Sequence, residues 1–268
     1  IDQNSIDSTN QQQDSSLQKI WEIDNQTLSS TNLIVSASKI YSTTDDGLIH
    51  CYLLDGQEKW SAEVFGNIKS NAVVFKDLFL TATYGGDLYS INSNNGDVVQ
   101  VIGVGENITT DLSLVDLTTT TLKSKGVVFG TEAGNIFCYD IFTFEMIWKI
   151  NLSTHSLISK PIIVNDKIIF KNSLTSLYCV NVKSGLLIWK YDFKEKEGFS
   201  NNSNTLANGK SIFALSTSRE INALDLILGK KLWSTNSFNV LPQIVFSIDK
   251  QKLILLSKEG EIIFISSK

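Results

Sequence analysis

Arginine is nearly missing from this chain. Arg219 is the only one in 268 residues, and the formal net charge is −5. A nucleic-acid partner asks for a basic stripe that neutralises phosphates, and phosphate clamps use arginine's bidentate fork, so the composition argues against both. Proline is scarce too. Pro161 and Pro242 are the two, each near the start of an expected strand, where a missing ladder donor does least harm. No apolar run approaches the ~18 residues that span a bilayer as a helix, and the longest, such as residues 253–256, are strand-sized. The three cysteines, Cys51, Cys138 and Cys179, never come as C-x-x-C, the paired spacing that a zinc site uses. Helical periodicity is essentially absent as well.

What the chain does have is a repeated phrase: Gly, any residue, Leu or Ile, aromatic, small, apolar, Asp or Asn. It stands at residues 47–53 (GLIHCYL), 86–92 (GDLYSIN), 134–140 (GNIFCYD), 175–181 (TSLYCVN), 219–225 (REINALD) and 260–266 (GEIIFIS). The starts lie 39, 48, 41, 44 and 41 residues apart, the length of one four-stranded antiparallel propeller blade with short turns. Inside one unit the strands read as residues 72–75, 78–83, 87–92 and 97–102, with a Gly85-Gly86 hairpin turn supplying the positive φ that such a turn needs. The fold class expected is therefore all-β, a β-propeller of about six four-stranded blades.

Tryptophan recurs in register, four residues after a turn glycine: Gly56 and Trp60, Gly185 and Trp189, Gly229 and Trp233. Trp148 keeps its place with Phe144 where glycine belongs, and Gly96 is kept with Gln100 in place of tryptophan. If the slot facing Gln100 persists, a tryptophan there stabilises. The sixth copy ends close to Lys268, so its blade needs an outer strand, and residues 17–23 (LQKIWEI) with Trp21 are expected to supply it by pairing with residues 262–265. That pairing removes a sheet edge. Residues 1–16 are polar and aperiodic and are expected to form a flexible tether, leaving 17–268 as a single propeller domain.

Ala223, Asp225, Gly229 and Trp233 occupy positions 1, 3, 7 and 11 of an eleven-residue stretch. This resembles the tryptophan-docking motif of the pyrroloquinoline quinone (PQQ)-like repeat propellers. Cys138 with Asp140 and Trp148, Cys179 with Asn181, Gly185 and Trp189, and Ser90 with Asn92 and Gly96 are similar. The resemblance implies that Trp21, Trp60, Trp148, Trp189 and Trp233 form an inter-blade lock. The family includes quinoprotein dehydrogenases, the outer-membrane assembly lipoprotein BamB and lumenal stress sensors, and fold alone does not choose among them.

The resemblance to BamB implies a non-catalytic protein-binding scaffold of the bacterial cell envelope, an accessory factor in outer-membrane β-barrel assembly. Its location would be the periplasmic side of the outer membrane. Its partner would be a periplasmic domain of the barrel-insertion machinery, with no cofactor, and it would meet the membrane only through an upstream lipid anchor. The alternatives are a quinone- or ligand-binding propeller and a lumenal stress-sensor domain. A quinone site resembling the dehydrogenases calls for calcium ligands near the axis and often an adjacent cysteine pair, and no Cys-Cys occurs.

The repeat also accounts for the reactive residue types. All three cysteines fall in the small-residue place of the phrase, and His50 falls in its aromatic place, so packing explains them. His155 has no sequence-local nucleophile and acid, and no catalytic or metal-binding residue is expected. Asn92, Asp140, Asn181 and Asp225 head a turn, where their side chains cap backbone amides. The sequons at Asn25, Asn107, Asn151 and Asn201 read as chance matches in an Asn- and Ser-rich chain. The longest interval places extra chain at residues 106–125, with Asp111, Leu112, Leu114 and Asp116 as the candidate partner contact, because loops on rigid scaffolds carry binding. Residues 192–204 are a second, charged candidate.

Overall fold

The computed structural model describes residues 19–24, 27–118, 124–193, 205–216, 220–236, 240–246 and 252–266. The tether expected at 1–16 and most of the charged segment at 192–204 lie outside them. Six antiparallel sheets follow one another along the chain, five of four strands and one of three. They span residues 34–63, 73–103, 113–151, 157–192, 205–235 and 240–266 and form blades 1 to 6 of an all-β propeller. Within every blade, strands adjacent in sequence are adjacent in space, the topology that the short Gly-, Asn- and Asp-headed turns allow.

Among the described residues, five apolar layers hold neighbouring blades together. Tyr41, Ile49 and Cys51 of blade 1 meet Phe79 and Ile91 of blade 2; Leu80 and Leu88 of blade 2 meet Val127 and Phe129 of blade 3. The same arrangement joins blades 3 and 4, 4 and 5, and 5 and 6. A blade covered on both faces must bury side chains of both parities, which is why its middle strands read as almost unbroken apolar runs rather than alternating ones. Both prolines lie in first strands, at register slips: Pro161 between Ile158 and Ile162, Pro242 between Val240 and Ile244. A bulge asks no ladder bond of them.

The outer strands carry the lock. The third-to-fourth strand register of each four-stranded blade sets the small residue of the phrase opposite the tryptophan place: Cys51 and Trp60, Ser90 and Gln100, Cys138 and Trp148, Cys179 and Trp189, Ala223 and Trp233. A bulge follows the small residue each time. The indole then leans on the next blade. Trp60 Nε1 donates to Ser93 O (3.1 Å), Trp148 to Val182 O (3.0 Å) and Trp189 to Leu226 O (3.0 Å). Each ring lies against a turn glycine with positive φ. A β-carbon at Gly96 would lie 2.8 Å from the Trp60 ring and one at Gly185 2.5 Å from the Trp148 ring, so these turns need glycine for space as well as for conformation.

The last blade departs from the sequence reading. Its sheet has three strands, and residues 19–23, the described part of the segment expected as its fourth, pair with none of them. The lock contact forms nonetheless: Trp21 Nε1 donates to Leu54 O at 3.0 Å, and its ring lies over Gly56 of blade 1. Phe264 holds the place that Cys51, Ser90, Cys138, Cys179 and Ala223 hold elsewhere. Phe264 stays 61% exposed.

Candidate partner-binding face

The residues singled out by sequence fall mostly into structure. The cysteines are free and fully buried, and burial pushes the Cys138 and Cys179 thiols up to about 12. The turn carboxylates and amides cap as expected: Asp140 Oδ1 accepts from the Phe142 and Thr143 amides, Asn181 Oδ1 from Lys183 and Ser184, and Asp225 Oδ1 from Ile227 and Leu228. His50 stacks on Tyr52, with Nδ1 2.7 Å from Glu58 Oε1. His155 stands on an exposed loop. Among the described residues no group of three or more His, Cys, Asp or Glu is placed to hold a metal ion.

The candidate contact at residues 111–116 runs into the innermost strand of blade 3, Ser113–Asp116. Leu112 is fully buried and Leu114 packs against the layer between blades 2 and 3, so neither side chain is free to meet a partner as a loop residue would. Asp111 is tied to blade 2 by accepting from the Asn71 amide (2.8 Å) and Asn71 Nδ2 (2.9 Å). Asp116 pairs with Lys125 at 3.0 Å. The four are brought into one strand and its approach, not into one exposed patch. The longest interval owes its length to the eight residues between Ser113–Asp116 and Lys125–Gly130, where Val73–Phe75 and Leu78–Ala82 of blade 2 are separated by two.

Among the loops that run from an outer strand to the next inner strand, sequence reasoning singled out residues 106–125 and 192–204 and passed over residues 64–70. Residues 64–70 and 104–109 are two such loops, and with the Tyr84–Gly85 turn they enclose a cavity of about 670 Å³. Its floor is Ile108, buried completely, and its walls include Gly66, Gly85 and the Tyr84 ring. Phe65, beside Gly66 in sequence, is 89% exposed. The signal was available: Phe65-Gly66-Asn67 breaks the strand pattern with an aromatic that has no place in the repeated phrase.

The loops that frame this cavity are held firmly. Ile68 bridges to Thr83 and Ile108 to Thr131, and the Tyr84 amide donates to Asn67 O at 2.7 Å. Lys69 reaches Asp45 at 2.6 Å, and with Ser30 it holds the Asp45 carboxyl down at about 2. On the other side Glu106 accepts from Thr131 Oγ1 (2.7 Å), Asn135 Nδ2 (2.8 Å) and Lys149 Nζ (2.8 Å). Burial alone would raise that carboxyl, but the Lys149, Asn135 and Thr131 donors outweigh it and hold the group below the usual carboxylate range. An apolar hollow on pinned loops, with exposed Phe65 next in the chain to its lining residue Gly66, suits an anchor side chain of another protein.

Residues 113–239 match the family described as outer membrane protein assembly factor BamB. No curated protein matches the chain. BamB from Moraxella catarrhalis superposes with a TM-score of 0.67 at 15% identity, over 92% of this chain and 80% of that one. The computationally designed Ika8 protein superposes with a TM-score of 0.71 at 14% identity, over 88% of this chain and 70% of that one. At such identities the likeness is one of fold. With the tryptophan contacts between blades and the match over residues 113–239, the chain is a β-propeller that resembles BamB.

Proposed function

We propose that the chain is a protein-binding scaffold of BamB type, an accessory factor in outer-membrane β-barrel assembly that works on the periplasmic side of that membrane. The cavity at residues 64–70, 84–85 and 108–109, with exposed Phe65, is the observation that carries a binding role. Its mechanism is positional. A rigid set of inter-blade loops presents an apolar recess with two bare glycine backbones, Gly66 and Gly85, into which a partner's side chain inserts, while Phe65 adds contact area. The likeness to BamB supports a periplasmic domain of the barrel-insertion machinery as that partner.

Titration of the purified chain with such domains, read by calorimetry, tests this. Phe65→Ala and Tyr84→Ala are expected to weaken binding by about 2 kcal/mol each, the size of an aromatic anchor at an interface. Unchanged affinity in both variants would remove this face from the mechanism. A saturable rise in melting temperature on adding PQQ with calcium would instead favour a ligand-binding propeller, because a ligand held by the native state alone stabilises it.

A further inference from the structure

Blades 3 and 4 carry the same notch at the same place and fill it differently. The strand registers establish the correspondence. Asn135 lies opposite Asn151 as Ser176 lies opposite Asp192, and Phe137 lies opposite Lys149 as Tyr178 lies opposite Lys190. Thr131 caps the turn before Asn135, and Asn172 caps the turn before Ser176. In blade 3 the notch is occupied by the chain's own Glu106 carboxylate, held by Thr131, Asn135 and Lys149. In blade 4 the incoming loop is a different one. Ser153 turns inward to accept from the His155 amide (3.0 Å) and Asn172 Nδ2 (3.3 Å), and a cavity of about 400 Å³ remains. That volume is at the lower end of the ~300–1,000 Å³ typical of small-molecule sites.

The groups that face this cavity decide what it takes. Ser153, Asn172 and Tyr178 are buried at its base, and His155, Lys190 and Asp192 stand around its mouth. Lys190 and Asp192 pair at 2.9 Å, and Ser176 Oγ donates to the same Asp192 oxygen at 2.5 Å. Lys190 and Asp192 cancel in charge. A second carboxylate, of the kind blade 3 holds, would meet the Asp192 carboxylate where blade 3 offers the neutral Asn151, so like charge disfavours it. An apolar ligand is disfavoured because it would strip water from Lys190, Asp192 and the His155 imidazole while offering them no hydrogen bond. What satisfies a carboxylate acceptor, an ammonium donor, an amide and hydroxyls together, with no net charge, is a ring of hydroxyl groups.

We propose that the notch of blade 4 is a binding site for a neutral saccharide, with Asp192 and Lys190 engaging adjacent hydroxyls and Asn172 and Tyr178 closing the base. The site is separate from the Phe65 face and does not depend on it. Saturation-transfer NMR on the purified chain with methyl glucoside, galactose, N-acetylglucosamine and N,N′-diacetylchitobiose tests it, with N-acetylglutamate as the charged probe. Saturation transfer is expected from at least one sugar, and a preference for the disaccharide would mark a glycan end, not a free sugar, as the source. Asp192→Ala is expected to weaken that binding by about tenfold, one lost hydrogen bond to a charged group, in a variant whose melting curve confirms folding. Asp192→Asn recreates the blade-3 residue and is expected to keep sugar binding while admitting N-acetylglutamate. No transfer from any of the four sugars, equal affinity of the native chain for N-acetylglutamate, or an undiminished signal in Asp192→Ala would overturn the assignment.

Discussion

Gln100 and Phe144 have exchanged roles across the junction of blades 2 and 3. Every other lock among blades 1 to 5 sets a tryptophan on one blade against a glycine on the next. Here the outer strand carries the small partner and the turn carries the ring. Phe144 keeps the turn of its glycine counterparts, with φ at 56° and its amide donating to Asp140 O at 3.0 Å. Its side chain is buried in the layer between the two blades, where an indole would lie. Gln100 Nε2 donates to Thr143 O at 3.3 Å, two residues beyond Ile141, the position whose counterparts Ser93, Val182 and Leu226 accept from the indoles. The slot that the sequence reading leaves open for a tryptophan at 100 is filled.

Gln100→Trp alone is therefore expected to destabilise, by about 1–3 kcal/mol as an overpacked core does. Phe144→Gly alone leaves a cavity and costs about 3–5 kcal/mol. The double variant restores the ordinary lock and should recover most of both losses. Urea unfolding of the four proteins measures the coupling, and additive effects would show that the two side chains do not share one space.

The locks should rank by burial. Trp189 is 8% exposed and Trp21 is 36% exposed, and Trp21 has no ladder to its own blade. Trp189→Ala is expected to cost about 3–5 kcal/mol, and Trp21→Ala roughly 1–2 kcal/mol, in proportion to its smaller buried area. A shift in melting temperature as large for Trp21→Ala as for Trp189→Ala would mean that the N-terminal segment is fixed by more than the indole.

Glu106 gives a sign to the acid limb. Its carboxyl is held below the usual range in the fold, so its contribution to stability is present above the ordinary carboxylate pKa and is lost as pH falls through it towards the depressed folded value. Glu106→Gln should lower stability at neutral pH, and the gap to the native chain should close at strongly acid pH. A gap that stayed constant across the acid range would place the effect in packing rather than in charge.

The thiols run the other way. With Cys138 and Cys179 pushed up to about 12 by burial, unfolding releases protons from them once pH passes the ordinary thiol range, and stability falls as pH rises from there towards the folded value. At pH 8 a disulfide reagent should label the native chain only as fast as it opens, and fully in denaturant. Rapid labelling of the native chain would contradict their burial.

Much of this architecture could be read from residues alone, because it is periodic. The phrase around Cys138 and Cys179 fixed strand, turn and tryptophan together, since one register sets all three. Two things escaped. The exchange between Gln100 and Phe144 spans two blades, so neither residue signals it within its own repeat. Leu112 and Leu114 looked like surplus loop because an inner strand of four residues, Ser113–Asp116, carries too little alternation to declare itself. Of the candidate face, Phe65 was visible as an aromatic out of phase, but the hollow it flanks is assembled from three loops far apart in sequence. The blade-4 notch stayed hidden for the same reason, as it emerges only when Lys190 is set beside Lys149 in space.

The five shared layers mean that each blade has allegiance only to its neighbours. Such a molecule passes strain from blade to blade and does not spread it evenly. The junction that yields first is then the weakest link and not the average one, and the three-stranded last blade, with Phe264 in the small-residue place, is where fraying should start.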